Sequence, residues 1–152
     1  MLPIRPAEAR DISRIAEILV FVKRMNYRVI FREDNFSFNV LQVLTVAQEI
    51  ADDPGYLPDT WVYDDGIVKG MIRVSKGHIC ELYVDHFFQS EGIGGQLIDF
   101  AVQRLSACSL WVLEKNPRAI AFYQRHGFAP AGERRLQPGT SEYIMKMILK
   151  KE

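Results

Sequence analysis

The sequence predicts an α+β fold: a mixed, mostly antiparallel central sheet of about six to seven strands, helices on both faces, and one strand-helix-strand crossover at its centre. Three observations predict it. Asp64-Asp65-Gly66 stands between two extended runs, and an Asp-Gly step in that position marks a tight antiparallel hairpin. A segment with helical apolar spacing, Leu97, Ile98, Ala101, Val102 and Leu105, separates the extended runs His78 to Val84 and Ser109 to Leu113, so a crossover joins those strands. The chain closes on two further extended runs, about Phe128 to Arg134 and Glu142 to Leu149, around Gln137-Pro138-Gly139.

Taken in order, Leu2 to Arg5 reads as a short strand. A helix follows from about Asp11, its N-cap, with Ile12, Ile15, Ala16, Leu19 and Val22 on one face. Val40, Leu41, Leu44, Ala47 and Ile50 suggest a second helix, although the approach through Phe31, Phe36 and Phe38 has no clean period. The hairpin strands are Thr60 to Tyr63 and Ile67 to Ser75, and Gly77 opens the run to Val84. The crossover helix spans about Gly95 to Ser106. Asn116-Pro117 begins the last helix, a capping side chain followed by Pro in the first turn, and Gly127 ends it where a left-handed residue is needed.

A length of 152 residues fits a single domain, 1–152, with one continuous core and no internal repeat. With 19 basic against 19 acidic residues and no basic run, the field that gathers nucleic acid or an anionic membrane is missing. Met1 to Asp11 lacks a signal-peptide core, and no stretch approaches the roughly 18 apolar residues of a membrane span, so a cytoplasmic protein is expected. Cys80 and Cys108 each sit in an apolar run without metal-ligand spacing, which predicts buried, reduced thiols and no metal.

The most informative stretch is Gln89-Ser90-Glu91-Gly92-Ile93-Gly94-Gly95, between a strand and an amphipathic helix. Glycines let the backbone approach a ligand, and the first amides of a helix face outward with the positive dipole end, which together cradle a pyrophosphate. A loop that merely turns the chain into its next helix is the bland alternative. A dinucleotide fingerprint is another, with Glu114 at about the right distance. Against the fingerprint, its third glycine falls at Leu97 and the loop from Val84 to Gly92 is long for a glycine turn at a strand end. A nucleoside-triphosphate loop is excluded, because Gly94 is followed by Gly95 and Gln96 instead of Lys and Ser or Thr.

Glu81-Leu82-Tyr83-Val84, the Gln-x-x-Gly-x-Gly of Gln89 to Gly94, and Asn116-x-x-Ala-x-x-Phe-Tyr-x-x-x-Gly-Phe ending at Phe128 together resemble the GNAT superfamily of N-acetyltransferases. Ile4-Arg5-Pro6-Ala7 and the Asp-led first helix resemble it too, and the likeness weakens between residues 24 and 58. It implies that the strand before the turn splays from its neighbour, so that Leu82, Tyr83 and Val84 offer backbone groups to the pantetheine arm of acetyl-CoA. It implies further that Gln89, Ser90, Glu91, Gly92, Ile93, Gly94 and Gly95 hold the pyrophosphate, and that Asn116 touches the cofactor, a position a helix cap would explain equally. Glu91 stands where the family often has Arg or Lys, and Asp85-His86-Phe87-Phe88 lacks a frequent Pro, departures that point to weaker phosphate affinity.

Acetyl transfer to an amine needs a neutral nitrogen, an oxyanion donor and a proton for the departing thiolate. The resemblance makes Tyr123 the general acid, since a phenol near pKa 10 can protonate a thiolate whose acid titrates near 8.5. Packing with Ala119, Ile120 and Phe122 would explain Tyr123 as well. The Val84 amide is a candidate oxyanion donor. Glu81 is the preferred base over His78, and each is open to a structural explanation. Direct transfer in a ternary complex is expected over a Cys80 acyl-enzyme.

The acceptor is a small-molecule or protein amine, chosen by residues 24 to 58 and 133 to 142, with Arg28 and Arg32 open to a carboxylate or to water alone. Tyr143 to Leu149 offers an edge for a homodimer. A silent acyl-CoA sensor and a dinucleotide-binding module are the alternatives.

Overall fold

The computed structural model describes residues 3–31 and 42–150, and the side chains of all of these except 24–31. Its strands are β1 (Ile4–Pro6), β2 (Thr60–Asp64), β3 (Val68–Ser75), β4 (His78–Val84), β5 (Ser109–Leu113), β6 (Phe128–Leu136) and β7 (Tyr143–Leu149). Its α-helices are α1 (Ile12–Phe31), α2 (Val43–Asp52), α3 (Ile93–Arg104) and α4 (Pro117–Arg125). The sheet runs β1-β2-β3-β4-β5-β7-β6, and among the described residues only the β4–β5 pair is parallel. This is the mixed sheet expected, with the crossover through α3 at its centre.

Strand alternation splits the core between two faces. On one, α1 and α2 bring Ile15, Ile18, Leu19 and Ile50 onto Val62 and Met71. On the other, Leu97 and Ile98 of α3 pack with Ile72, Leu110, Phe128 and Met147. Each such side chain contributes about 1.5–3 kcal/mol on full burial. Gly70 sets how closely α3 lies on the sheet: a Cβ there would stand 3.2 Å from Leu97 Cδ1 and 3.3 Å from Ile93 Cγ2. The first turn of α3 is thereby pressed against β3 and β4.

Several expected boundaries move for local physical reasons. Asp11 is not an N-cap; it ends a 3-10 turn, Ala9–Asp11, and its carboxylate accepts from Glu8 N at 2.8 Å. Arg5 donates to the same carboxylate at 2.8 and 3.0 Å and pairs with Asp64 at 3.0 Å, tying α1 to the first hairpin. The adjacent guanidinium holds the buried Asp11 well below the usual carboxylate range. The crossover helix begins at Ile93, before the expected Gly95, because Gly92 takes a left-handed conformation (φ +81°) and serves as its N-cap. Cys80 and Cys108 are free but exposed, which corrects the expectation of burial. Cys108 lies in the loop before β5, and Cys80 is the extra residue of a bulge, since Arg73 pairs with Glu81 while Val74 pairs with Ile79. Leu2, Arg32, Phe36, Phe38, Val40, Leu41 and the Arg28 side chain lie outside the described residues.

The functional consequence of this sheet lies at its one parallel pair. β4 and β5 pair at His78↔Ser109 and Ile79↔Leu110, and the ladder between them stops there. No described helix is long and apolar enough to cross a membrane.

Candidate functional site

The separation of β4 from β5 opens a cleft of about 940 Å³, large enough for a cofactor-sized ligand. Leu82, Tyr83 and Val84 line it along the side of β4 that faces β5; Gln89, Ser90, Gly92, Ile93, Gly94 and Gly95 line it at the following turn; Asn116 and Tyr123 line it from α4 and its cap. The cleft residues expected from sequence therefore converge, except that Glu91 does not line it and is exposed.

The turn has the backbone geometry that suits an anion. Ser90 and Gly92 both have positive φ, +69° and +81°, a backbone arrangement that turns successive N–H groups inward. The first helical bond runs from Gln96 N to Gly92 O (3.1 Å), so the amides of Ile93, Gly94 and Gly95 precede it and point out of the helix end. A left-handed serine is a small store of strain. The surrounding bonds maintain it: Gln89 Nε2 donates to Val84 O at 3.1 Å, and Asp85 N donates to Lys69 O at 2.8 Å. The Asp85 carboxylate caps the 3-10 turn His86–Phe88 through Phe87 N (2.9 Å) and pairs with Arg14 of α1. Gly94 and Gly95 also serve packing, since Cβ atoms there would stand 3.4 Å from Phe122 Cζ and 3.2 Å from His126 Cε1.

Tyr123 lies between Phe122 and Phe128, with ring centroids 5.3 and 6.2 Å away, and is half-buried. Its hydroxyl makes no hydrogen bond among the described residues, and burial pushes the phenol up to about 12. Asn116 Oδ1 accepts from Ala119 N at 3.2 Å, so it caps α4, and the residue also lines the cleft.

The other face of the sheet carries a second cluster. Glu81 Oε1 accepts from the Tyr56 hydroxyl at 2.6 Å and from Arg73 Nε at 3.0 Å, while Oε2 stands 3.9 Å from Lys23 Nζ. Burial and the Glu81 charge push the Tyr56 phenol far up, keeping it a donor. His78 Nδ1 lies 2.8 Å from Ser109 Oγ, and burial with Lys146 and Arg135 nearby lowers its pKa. The Arg135 guanidinium sits 4.5 Å over the Trp111 ring. Sequence reasoning missed Lys23, Tyr56, Arg73 and Arg135. Only the Arg73–Glu81 pair had a readable signal, the register of the hairpin between β3 and β4.

The donor set fits an acyl-CoA. Convergent amides suit a pyrophosphate, and a strand whose ladder to its neighbour stops early suits an arm that itself carries amides. Among the described residues no group of three or more His, Cys, Asp or Glu could hold a metal ion.

Comparison with known proteins agrees with this geometry. A family model described as an acetyltransferase (GNAT) domain matches residues 23–149. The peptidyl-lysine N-acetyltransferase YjaB of Salmonella typhimurium is 28% identical over 89 residues, 56% of this chain, and the match spans only 60% of that relative. The solution structure of apo YjaB from Escherichia coli superposes with a TM-score of 0.73 at 19% identity, covering 95% of each chain. The PaiA N-acetyltransferase from Thermoplasma acidophilum, in complex with coenzyme A, gives 0.64 at 19% identity, covering 94% of this chain and 96% of that one.

Proposed function

Because this chain belongs to the acetyltransferase (GNAT) family, we propose that it moves an acetyl group from acetyl-CoA to a primary amine by direct transfer in a ternary complex. The observation that carries this reading is the early separation of β4 from β5 beside the Gln89 to Gly95 turn. It leaves the backbone groups of Leu82 and Val84 on the cleft side of β4, beside a turn whose amides point outward.

Acetyl-CoA supplies an activated acyl group, and the chain's own residues do the rest. The amides of Ile93, Gly94 and Gly95, with Gln89, Ser90 and Gly92 shaping the turn, receive the pyrophosphate. Glu91, being exposed and anionic, adds no affinity there. Asn116 donates to the cofactor through its amide nitrogen while its oxygen caps α4. The Val84 amide polarises the acyl carbonyl. Tyr123, protonated at every physiological pH, gives its proton to the departing thiolate. Glu81 takes the amine's proton through Oε2, the oxygen that neither Tyr56 nor Arg73 occupies.

The acceptor is a small-molecule or protein amine, and the YjaB relative's name puts peptidyl-lysine among those to try. A cytoplasmic location completes the reading; Tyr143–Leu149 is not the edge expected from sequence, because β7 pairs with β5 on one side and with β6 on the other, and β6 is the outer strand there.

Calorimetric titration with acetyl-CoA tests it, with NAD as control and Gly94→Asp as the variant that puts a carboxylate at the turn against Phe122. Binding of acetyl-CoA alone, weakened at least about tenfold by the substitution, is the expected result. Absence of acetyl-CoA binding to the wild type would overturn the proposal.

A further inference from the structure

We infer that the acceptor is a primary amine that also carries a carboxylate, which Arg135 receives on the sheet face of α1. This rests on the acetyl-transfer reading above and narrows it.

Strand register fixes which face the acceptor residues share. Leu110 and Val112 of β5 belong to the core under α3, so Trp111 and Leu113 point to the opposite face. Leu113 pairs with Ile144, which pairs with Arg135, and directly opposed residues share a face. Arg135 is therefore on the α1 side, with Trp111, while the first turn of α3 packs on the other. On β4, Ile79, Leu82 and Val84 take the α3 side, leaving Glu81 beside Lys23 of α1. Arg135 is thus placed for the acceptor and not for the cofactor phosphates.

Charge on this side is unbalanced. The cleft-lining Lys23, Arg73 and Arg135 face a single lining carboxylate, Glu81, already engaged by Tyr56 and Arg73. No carboxylate lies within 4.0 Å of Arg135 among the described residues. The Trp111 ring, 4.5 Å from the guanidinium carbon, supports Arg135 by a contact that uses none of its N–H donors, which suit a bidentate anion. His78, whose pKa is lowered by burial and then by Lys146 and Arg135, lies on this same side.

Such a pocket discriminates between amines. A simple alkylammonium is repelled, whereas an amine bearing a carboxylate brings its own counter-charge. The same field favours loss of the ammonium proton, so an anchored acceptor is also more readily the neutral nucleophile that transfer needs. Free amino acids and acidic peptides share this chemistry.

Acetyl-CoA-dependent thiol release would be measured for matched pairs: phenylalanine beside phenethylamine, glutamate beside 4-aminobutyrate, and a lysine peptide with and without a neighbouring aspartate. The carboxylate-rich member of at least one pair is expected to have at least about tenfold higher kcat/KM. Arg135→Gln should bring that ratio toward one, Arg135→Lys should restore it in part, and the acetyl-CoA dissociation constant should not move. The responding pair tells a free amino acid from an acidic peptide. Equal or reversed preference in every pair, with robust turnover, would overturn the inference and leave acetyl transfer standing. No turnover of any amine would sink the transfer reading, and this inference with it.

Discussion

The two sides of the cleft are assembled in opposite ways. On the α3 side, one continuous stretch, Gln89 to Gly95, supplies a turn that presents outward-facing backbone amides, and a second, Asn116 to His126, supplies the opposing wall. On the α1 side, the polar groups are side chains drawn from five places: Lys23 on α1, Tyr56 before β2, Arg73 on β3, Glu81 on β4 and Arg135 on β6. A cofactor that never changes can be held by main chain at fixed spacing. An acceptor that differs between enzymes is read by side chains, which can be exchanged without refolding the turn.

The largest expected effect separates chemistry from cofactor binding on the α3 side. Tyr123→Phe should lower kcat about a hundredfold or more while leaving acetyl-CoA affinity nearly intact, because the hydroxyl has no structural partner among the described residues. Burial holds the phenol near 12, so turnover that needs the protonated form persists below that pH and is lost above it. A wild-type alkaline limb near the ordinary phenol value of about 10 that vanishes in the variant would contradict this environment. Unchanged kcat would remove Tyr123 from the mechanism.

Gly70→Val comes next and breaks the α3 side through its support. The added side chain starts 3.2 Å from both Leu97 Cδ1 and the Tyr83 carbonyl, and backbone cannot yield cheaply. Overpacking should cost about 1–3 kcal/mol of unfolding free energy by denaturant titration. Acetyl-CoA affinity should fall with it as the first turn of α3 is displaced. A stable variant with normal affinity would show that Gly70 does not set the height of that helix.

How much of this was legible follows from the same contrast. Asp64-Asp65-Gly66, the 3.6-residue period of α3 and Asn116-Pro117 each act locally, so the sheet, its crossover and the turn could be read from sequence. Glu81 was picked out, but not its partners, because Tyr56 lies 25 residues away and meets it only through the fold. The cysteines were misread because apolar neighbours in sequence do not bury a residue at a bulge or in a loop. Asp11 was misplaced because its real partner, Arg5, sits on the preceding strand.

On the α1 side, Tyr56→Phe removes the 2.6 Å bond to Glu81 but leaves Arg73 in place. A lost bond to a charged group is expected to cost about 1.5 kcal/mol. The amine KM should change and the acetyl-CoA dissociation constant should not. A matching loss of cofactor affinity would mean that the two sides are coupled through β4, and the division drawn here would fail.

The smallest effect tests the one residue given two tasks. Asn116 Oδ1 caps α4, and its amide nitrogen is assigned to the cofactor. Asn116→Ala deletes both and should lose about 1 kcal/mol of stability. Asn116→Asp keeps an oxygen for the Ala119 amide and adds a charge that the helix N-terminus favours, so its melting temperature should match or exceed the wild type. It lacks the donor, however, and should bind acetyl-CoA as weakly as the alanine variant. If Asn116→Asp instead binds acetyl-CoA normally, the nitrogen touches nothing that matters and Asn116 is a cap alone. The α3 side would then hold its cofactor through the turn and the β4 edge, without help from the start of α4.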